Sequence, residues 1–134
     1  MMLTVQEAMQ VINDHKRVAI VGLSPKEDRP SYIVGKFLIE QGFEVTPVNP
    51  GHSEILGRKS VKTLSEISRD AIDWIDLFVN PRRLNDLLPE IIALSPKLVW
   101  CQLGVVNESF NQVLEQASIP YIADVCPKME WGKH

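Results

Sequence analysis

The sequence predicts a doubly wound α/β fold, a five-stranded parallel sheet in the order 3-2-1-4-5 with helices on both faces. Three observations predict it. Short, continuous apolar runs alternate with amphipathic segments along the chain. Glycine, proline or asparagine bounds the apolar runs, which suits strands buried on both faces. The segments between them are long enough for helices, and parallel strands need such crossovers, which run right-handed.

The elements follow in order. "VQEAMQVIND" places Val5, Ala8, Met9 and Ile12 at helical spacing, and Thr4 with Glu7 three residues on makes a capping box. "RVAIVG" reads as the first strand, ending at Gly22. "SYIVGKFLIEQG" puts Ile33, Val34, Phe37 and Leu38 on one helix face, with Gly42 as its stop. "FEVTPVNPG" is the second strand, although Pro47 weakens its pairing. "HSEILGRKSVKTLSEIS" reads as connector, with a weak helix from Leu64 to Ile67. "DWIDLFVN" is the third strand. "PRRLNDLLPEIIAL" starts a helix at Pro81, where the missing N–H costs nothing, and Pro89 predicts a kink or an early break. "KLVWCQLG" is the fourth strand, "NESFNQVLEQAS" a helix that Asn107 can cap, and "IPYIAD" the fifth strand. "CPKMEWGKH" closes the chain with about one helical turn.

The chain has 134 residues, 45% hydrophobic and 23% charged, which fits one ordinary globular domain spanning residues 1–134. A net charge of −3 argues against a general nucleic-acid binder. No apolar run approaches the roughly 20 residues that cross a bilayer. The N-terminal segment lacks the apolar run of a signal peptide. The expected location is the cytoplasm, with neither membrane nor nucleic acid as partner. Cys101 and Cys126 do not make a disulfide framework. His15, His52 and His134 are scattered without metal-site spacing, and His134 is expected to be disordered at the terminus. A protein partner or a homo-oligomer stays open.

Ligands of such sheets bind beyond the carboxyl ends of the strands, at the switch point. Those ends are Gly22–Arg29, Val48–Gly51, Val79–Arg83, Gln102–Val106 and Asp124–Lys128. The first leads into a helix beginning at Pro30 or Ser31, whose free N–H groups favour a phosphate. Leu23 follows Gly22 there, Ser24 and Ser31 add hydroxyls, and Lys26 and Arg29 add charge. The plainer account makes Ser31 a cap and the two cations a solvated loop. Of the dinucleotide fingerprint G-x-G-x-x-G only the first glycine, Gly22, is present, and the loop is longer. At the second strand end an NAD site carries an acid for the ribose. Here Asn49, followed by Pro50, stands instead, and it would not repel an extra phosphate on the adenosine. NADP and coenzyme A both satisfy that condition. At the third end Asn80 and Pro81 shape a turn, and Arg82 or Arg83 either reaches a phosphate or stays a surface charge near Asp86. At the fourth, Gly104 admits a ligand backbone contact or simply makes a turn.

"VAIVGLSPKEDRPSYIVGKFL", "VTPVNPGHSEILGRK" and "LVWCQLGVVNE" together resemble the stand-alone CoA-binding proteins of Rossmann type. That group is similar to the amino-terminal domain of the succinyl-CoA synthetase alpha subunit. The resemblance runs from about Arg17 to Glu130. It implies coenzyme A or an acyl-CoA lying across the strand ends. It implies Gly22 to Ser31 around the phosphates, Asn49 and Pro50 beside the adenosine or diphosphate, and Val79 with its neighbours as a wall for the adenine. It places "CQLGVVNE" near the pantetheine arm. The "VNPRR" segment departs from a family pattern with arginine directly after phenylalanine, which leaves open which arginine reaches the ligand. Neither a phosphohistidine domain nor a nucleotide-grasping domain is expected within the chain, so acyl-CoA ligase activity is not expected from it alone.

Other chemistry would need an activated nucleophile or a positioned acid and base. Cys126 is the best candidate, able to exchange with a CoA thiol if a helical turn lowers its pKa. A buried, inert cysteine is the simpler account. Cys101 lies within an apolar strand and reads as core, as does Trp100, while Trp131 covers either the site or a contact between copies. His52 is a lone histidine on a loop. The alternatives to a non-catalytic CoA-binding module are an NAD(P)-binding redox sensor and a CoA-binding subunit of a larger acyl-CoA-forming enzyme.

Overall fold

The computed structural model describes residues 1–133, so His134 lies outside the described residues. The chain runs α1 (Val5–Asp14), β1 (Arg17–Val21), α2 (Pro30–Glu40) and β2 (Glu44–Val48). A small hairpin follows, β3 (Glu54–Ile55) and β4 (Arg58–Lys59), with two short 3-10 turns. Then come β5 (Trp74–Leu77), a 3-10 segment (Pro81–Leu87), α3 (Leu88–Leu94), β6 (Leu98–Cys101), α4 (Glu108–Gln116), β7 (Tyr121–Ile122) and α5 (Pro127–Glu130).

Local chemistry explains most boundaries. Thr4 and Glu7 form the expected capping box on α1. Asn107 caps α4 by accepting from the Phe110 N–H at 3.1 Å. Pro89 does not kink a helix. It sits in the first turn of α3, and the residues before it wind as 3-10 instead. The β3–β4 hairpin, read as connector from sequence, turns on Leu56 and Gly57, both with positive φ (54° and 72°). Two such residues make the tight turn of a hairpin, but leucine is an unusual occupant.

The main sheet is parallel and five-stranded, with helices on both faces, as expected. Its order corrects the sequence reading. It is β2-β1-β5-β6-β7, which places the third predicted strand beside the first rather than beyond the second. Pro47 is the physical reason. In the order 3-2-1-4-5 the second strand is internal and must donate on both sides, which proline cannot do. In the fold, Gly22 donates to the Val48 carbonyl on the β1 side, whereas the Pro47 carbonyl faces outward and accepts from Val61 N–H. The missing proline N–H therefore falls on the sheet margin. Residues 60–61 cover that margin, and Met1 to Leu3 cover the opposite one along β7.

The strands bury both faces. Val18, Ile20, Trp74 and Trp100 pack beneath α1, α2 and α5, while Ala19, Ile75, Leu77 and Val99 pack beneath α3 and α4. Trp74 and Trp100 are fully buried with ring centroids 6.0 Å apart, and their indole N–H groups donate to the carbonyls of His15 and Val125. Trp131 packs edge-on against Phe37 and Phe43, so it closes the helical layer within the chain. At the amino end of the sheet Asp73 accepts from the backbone and guanidinium of Arg17. Burial opposes the charge on Asp73, but these bonds and the nearby Arg17 and Lys97 outweigh it and hold its carboxyl below the ordinary value.

Two features carry the sheet's central strands. Gly22 ends β1 at φ +82°, and a Cβ there would lie 2.2 Å from the Phe78 carbonyl oxygen. Only glycine allows β1 and β5 to meet so closely. One turn of the ladder away, Asp76 is fully buried. Its Oδ1 accepts from Gln102 Nε2 at 2.5 Å, and Oδ2 has no hydrogen-bond partner among the described residues. Burial, only partly countered by bonds from Gln102 and the Leu77 backbone, pushes its carboxyl up to about 7.

Gly22→Ala is expected to lower stability by about 2–4 kcal/mol through backbone strain and the carbonyl clash. Gly42→Ala, at φ +92° in open space, is expected to cost only about 1 kcal/mol. Denaturant titration of both variants checks the difference. The Asp76 carboxyl binds its proton more tightly folded than unfolded. Its contribution is intact below about pH 4 and is lost as pH rises through about 7. Asp76→Asn should therefore flatten the stability profile between those values, recovering up to about 4 kcal/mol at pH 8. Parallel profiles for the two proteins would show that the carboxyl carries no such penalty.

Candidate functional site

The switch point of this order lies between β1 and β5, where neighbouring chains leave in opposite directions. Three depressions meet there around Phe78, and Gly22 lines the two polar ones. A cationic cleft of about 480 Å³ is lined by Ser24, Lys26, Arg29, Ser31 and His52. A mixed cleft of about 470 Å³ lies beside it, over Val48, Pro50, Val79 and Asn80. An apolar cavity of about 510 Å³ opens on the far side of Phe78 and Val79. Each has the size of an ordinary small-molecule site.

The cationic cleft is built by the loop from Gly22 to Arg29. Ser24 N–H donates to Ser31 Oγ at 2.9 Å, and Lys26 N–H donates to Ser24 Oγ at 3.1 Å. Ser31 is thus neither a cap nor a free hydroxyl. It is buried in the first turn of α2 and clamps the loop. Arg29 occupies the N-cap position without a side-chain hydrogen bond, and Pro30 follows it. The amino end of α2 therefore faces the cleft with its dipole and N–H groups. Lys26 and Arg29 are exposed, and no acid among the described residues lines the cleft. Leu23 contributes backbone only. Its side chain is fully buried against Gly35, where a Cβ would come within 2.9 Å.

Asn49 joins the loops. Its Nδ2 donates to the Leu23 carbonyl at 3.0 Å and its Oδ1 accepts from Gly51 N–H at 2.8 Å. It lines both polar clefts, but these bonds spend its amide on positioning. In the mixed cleft Asn80 accepts from Arg82 N–H and fixes the turn after β5. That turn directs Arg83 into the cleft and leaves Arg82 outside it. Lys62 and Thr63 line the same cleft, brought back by the β3–β4 hairpin, and so do the acids Asp86 and Glu90. Sequence reading missed Lys62 and Thr63, and covered Phe78 only as a neighbour of Val79. Nothing in the connector marks the first two unless the Leu56–Gly57 turn is recognised.

Gly104 lies outside all three depressions. Its φ is +78°, and its N–H donates to Asp124 Oδ1 at 2.8 Å, so it ties the β6 and β7 loops together. Its neighbours Leu103 and Val105 line the apolar cavity, with Gln102 and Cys126 at the wall. Cys126 is 8% exposed. Cys101 is core, and burial, with Asp76 as a smaller cause, pushes its thiol up to about 12, which keeps it protonated. No cluster of three His, Cys, Asp or Glu suited to a metal occurs among the described residues, and no helix there is long and apolar enough to cross a membrane.

Residues 16–132 match the family described as the CoA binding domain. The chain is 36% identical over 123 residues to YneT, an uncharacterized protein of Bacillus subtilis, covering 92% of this chain and 90% of that one. A Thermus thermophilus structure is similar at 35% identity and a TM-score of 0.91, with 98% of both chains covered. A dinucleotide-forming acetyl-coenzyme A synthetase of Ca. Korarchaeum cryptofilum shares the fold at 18% identity and a TM-score of 0.67, over 79% of this chain and 25% of that one. A strand-end crevice with one obligatory glycine, a helix end facing a cationic loop, and a match along nearly the whole sequence agree: the chain belongs to the CoA binding domain family.

Proposed function

We propose that this protein binds coenzyme A or an acyl-CoA across the carboxyl ends of its strands and performs no catalysis of its own. The observation that carries the reading is the meeting of three unlike depressions at Phe78. A CoA molecule is likewise three unlike parts: a diphosphate, a phosphorylated adenosine and a thiol-bearing arm. The cationic cleft suits the diphosphate, with Lys26 and Arg29 as charges, Gly22, Ser24 and Ser31 as the loop, and the α2 amino end as a dipole. The mixed cleft suits the adenosine. Val79 and Pro50 supply apolar wall, and Lys62 and Arg83 supply charge for the extra phosphate. The Leu103–Val105 turn, held by Gly104, suits the arm. Residues 1–134 act as one such binding domain. Catalysis finds no support in the side chains, because Cys126 is nearly buried and His52 lines the cationic cleft rather than the apolar cavity.

Calorimetry tests the reading. CoA should bind at least about tenfold more tightly than dephospho-CoA, since a charge-assisted contact contributes roughly 1.5–3 kcal/mol. NADPH binding more tightly than CoA would overturn it in favour of a nicotinamide nucleotide. Within the arginine pair, Arg83→Ala should weaken CoA about tenfold and Arg82→Ala less than twofold. Equal losses would move the phosphate contact away from the mixed cleft.

A further inference from the structure

The apolar cavity is more than a continuation of the polar clefts. Ile33 of α2, Leu103 after β6 and Met129 of α5 all line it, and they are 45%, 52% and 59% exposed. Six large hydrophobic side chains among the described residues are at least 45% exposed, so half of them converge on one cavity from three separate parts of the chain. Scattered exposed apolar groups need no explanation, whereas a convergent set rimming a concave surface marks a binding site.

The chemistry of the walls narrows the occupant. Among the described residues Lys128 is the one charged residue that lines the cavity, and Gln102 is held by its bond to Asp76. The arm passes the Leu103–Val105 turn, but its two amides gain little from the remaining walls, so the arm alone leaves most of the apolar surface unused. An alkyl or aryl group gains from those walls directly. The cavity also borders the proposed CoA site. Pro30 and Phe78 wall both the cationic cleft and the apolar cavity, and Val79 walls both the mixed cleft and the cavity. A group joined to the end of a CoA arm leaves the phosphates over Phe78 and arrives there.

Resting on the CoA reading, we infer that the apolar cavity holds the acyl group of a CoA thioester, and that the ligand class is apolar acyl-CoA rather than free CoA. Ile33 and Met129 discriminate between acyl groups. They act through surface removed from water, so affinity follows chain length until the cavity is filled.

The test is calorimetry on the full chain with CoA, acetyl-CoA, butanoyl-CoA and hexanoyl-CoA. Affinity should rise with each added methylene, by up to roughly fourfold. The heat-capacity change should become more negative along the series. Ile33→Ser and Met129→Ser alter exposed positions. They should remove most of the gain of hexanoyl-CoA over CoA, both measured in the same variant. Equal affinity for CoA and hexanoyl-CoA would overturn the inference while leaving CoA binding intact. Failure of CoA and every thioester to bind would overturn the underlying reading instead. Analytical ultracentrifugation covers the other occupant. A dimer that Met129→Ser dissociates, together with no acyl preference, would make the cavity a contact between copies and overturn the acyl assignment.

Discussion

The structure depends on how closely β1 approaches β5 at Gly22. With the Phe78 carbonyl oxygen 2.2 Å from where a side chain would begin, the two central strands can splay only beyond this point. The crevice at the switch point opens from that constraint. On one side the chain turns through the Ser24–Arg29 loop into α2. On the other it turns through Asn80 into the 3-10 segment. Phe78 stands between, and all three depressions share it as a wall.

Polar side chains near the crevice serve mainly to hold backbone. Ser31 clamps Ser24, Asn49 bridges the first two loops, Asn80 sets the third, and Asp124 holds Gly104. A surface built this way is preorganised, because its loops are already ordered when a ligand arrives. The groups left outside these bonds, such as Lys26 and Arg29, are long, charged and exposed. This division explains why residue type alone leaves the role of Asn49 open. An amide that can donate and accept suits a ribose, and it suits a pair of loops equally well.

Much of the fold was legible in the sequence because its signals are local. Thr4 with Glu7, Asn107 before α4 and proline at a first helical turn are decided within a few residues. Strand order is decided by long-range pairing. Pro47 held the clue, since a strand that cannot donate from mid-length belongs at a margin, but that signal was read only as weaker pairing. The site was legible in its loops and obscure in its walls. Gly22, Ser24, Lys26 and Arg29 announce themselves by type and by position after a strand. Lys62 reaches the crevice only through a hairpin whose turn carries a leucine at positive φ, which the pattern of turn residues does not reveal. Arg83 and Arg82 differ by one residue on a 3-10 segment, and only its winding separates them.

The occupied margins of the sheet have a consequence for how copies of the protein can meet. Val61 bonds to the outer side of β2, and the first three residues bond to the outer side of β7. A neighbouring molecule therefore finds no free row of amides to extend, and assembly by shared strands is closed to it. The first three residues act as a selvedge, the woven border that stops a fabric from unravelling. Their loss would expose a ready template at the far border and remove Leu3 from the core beneath α1.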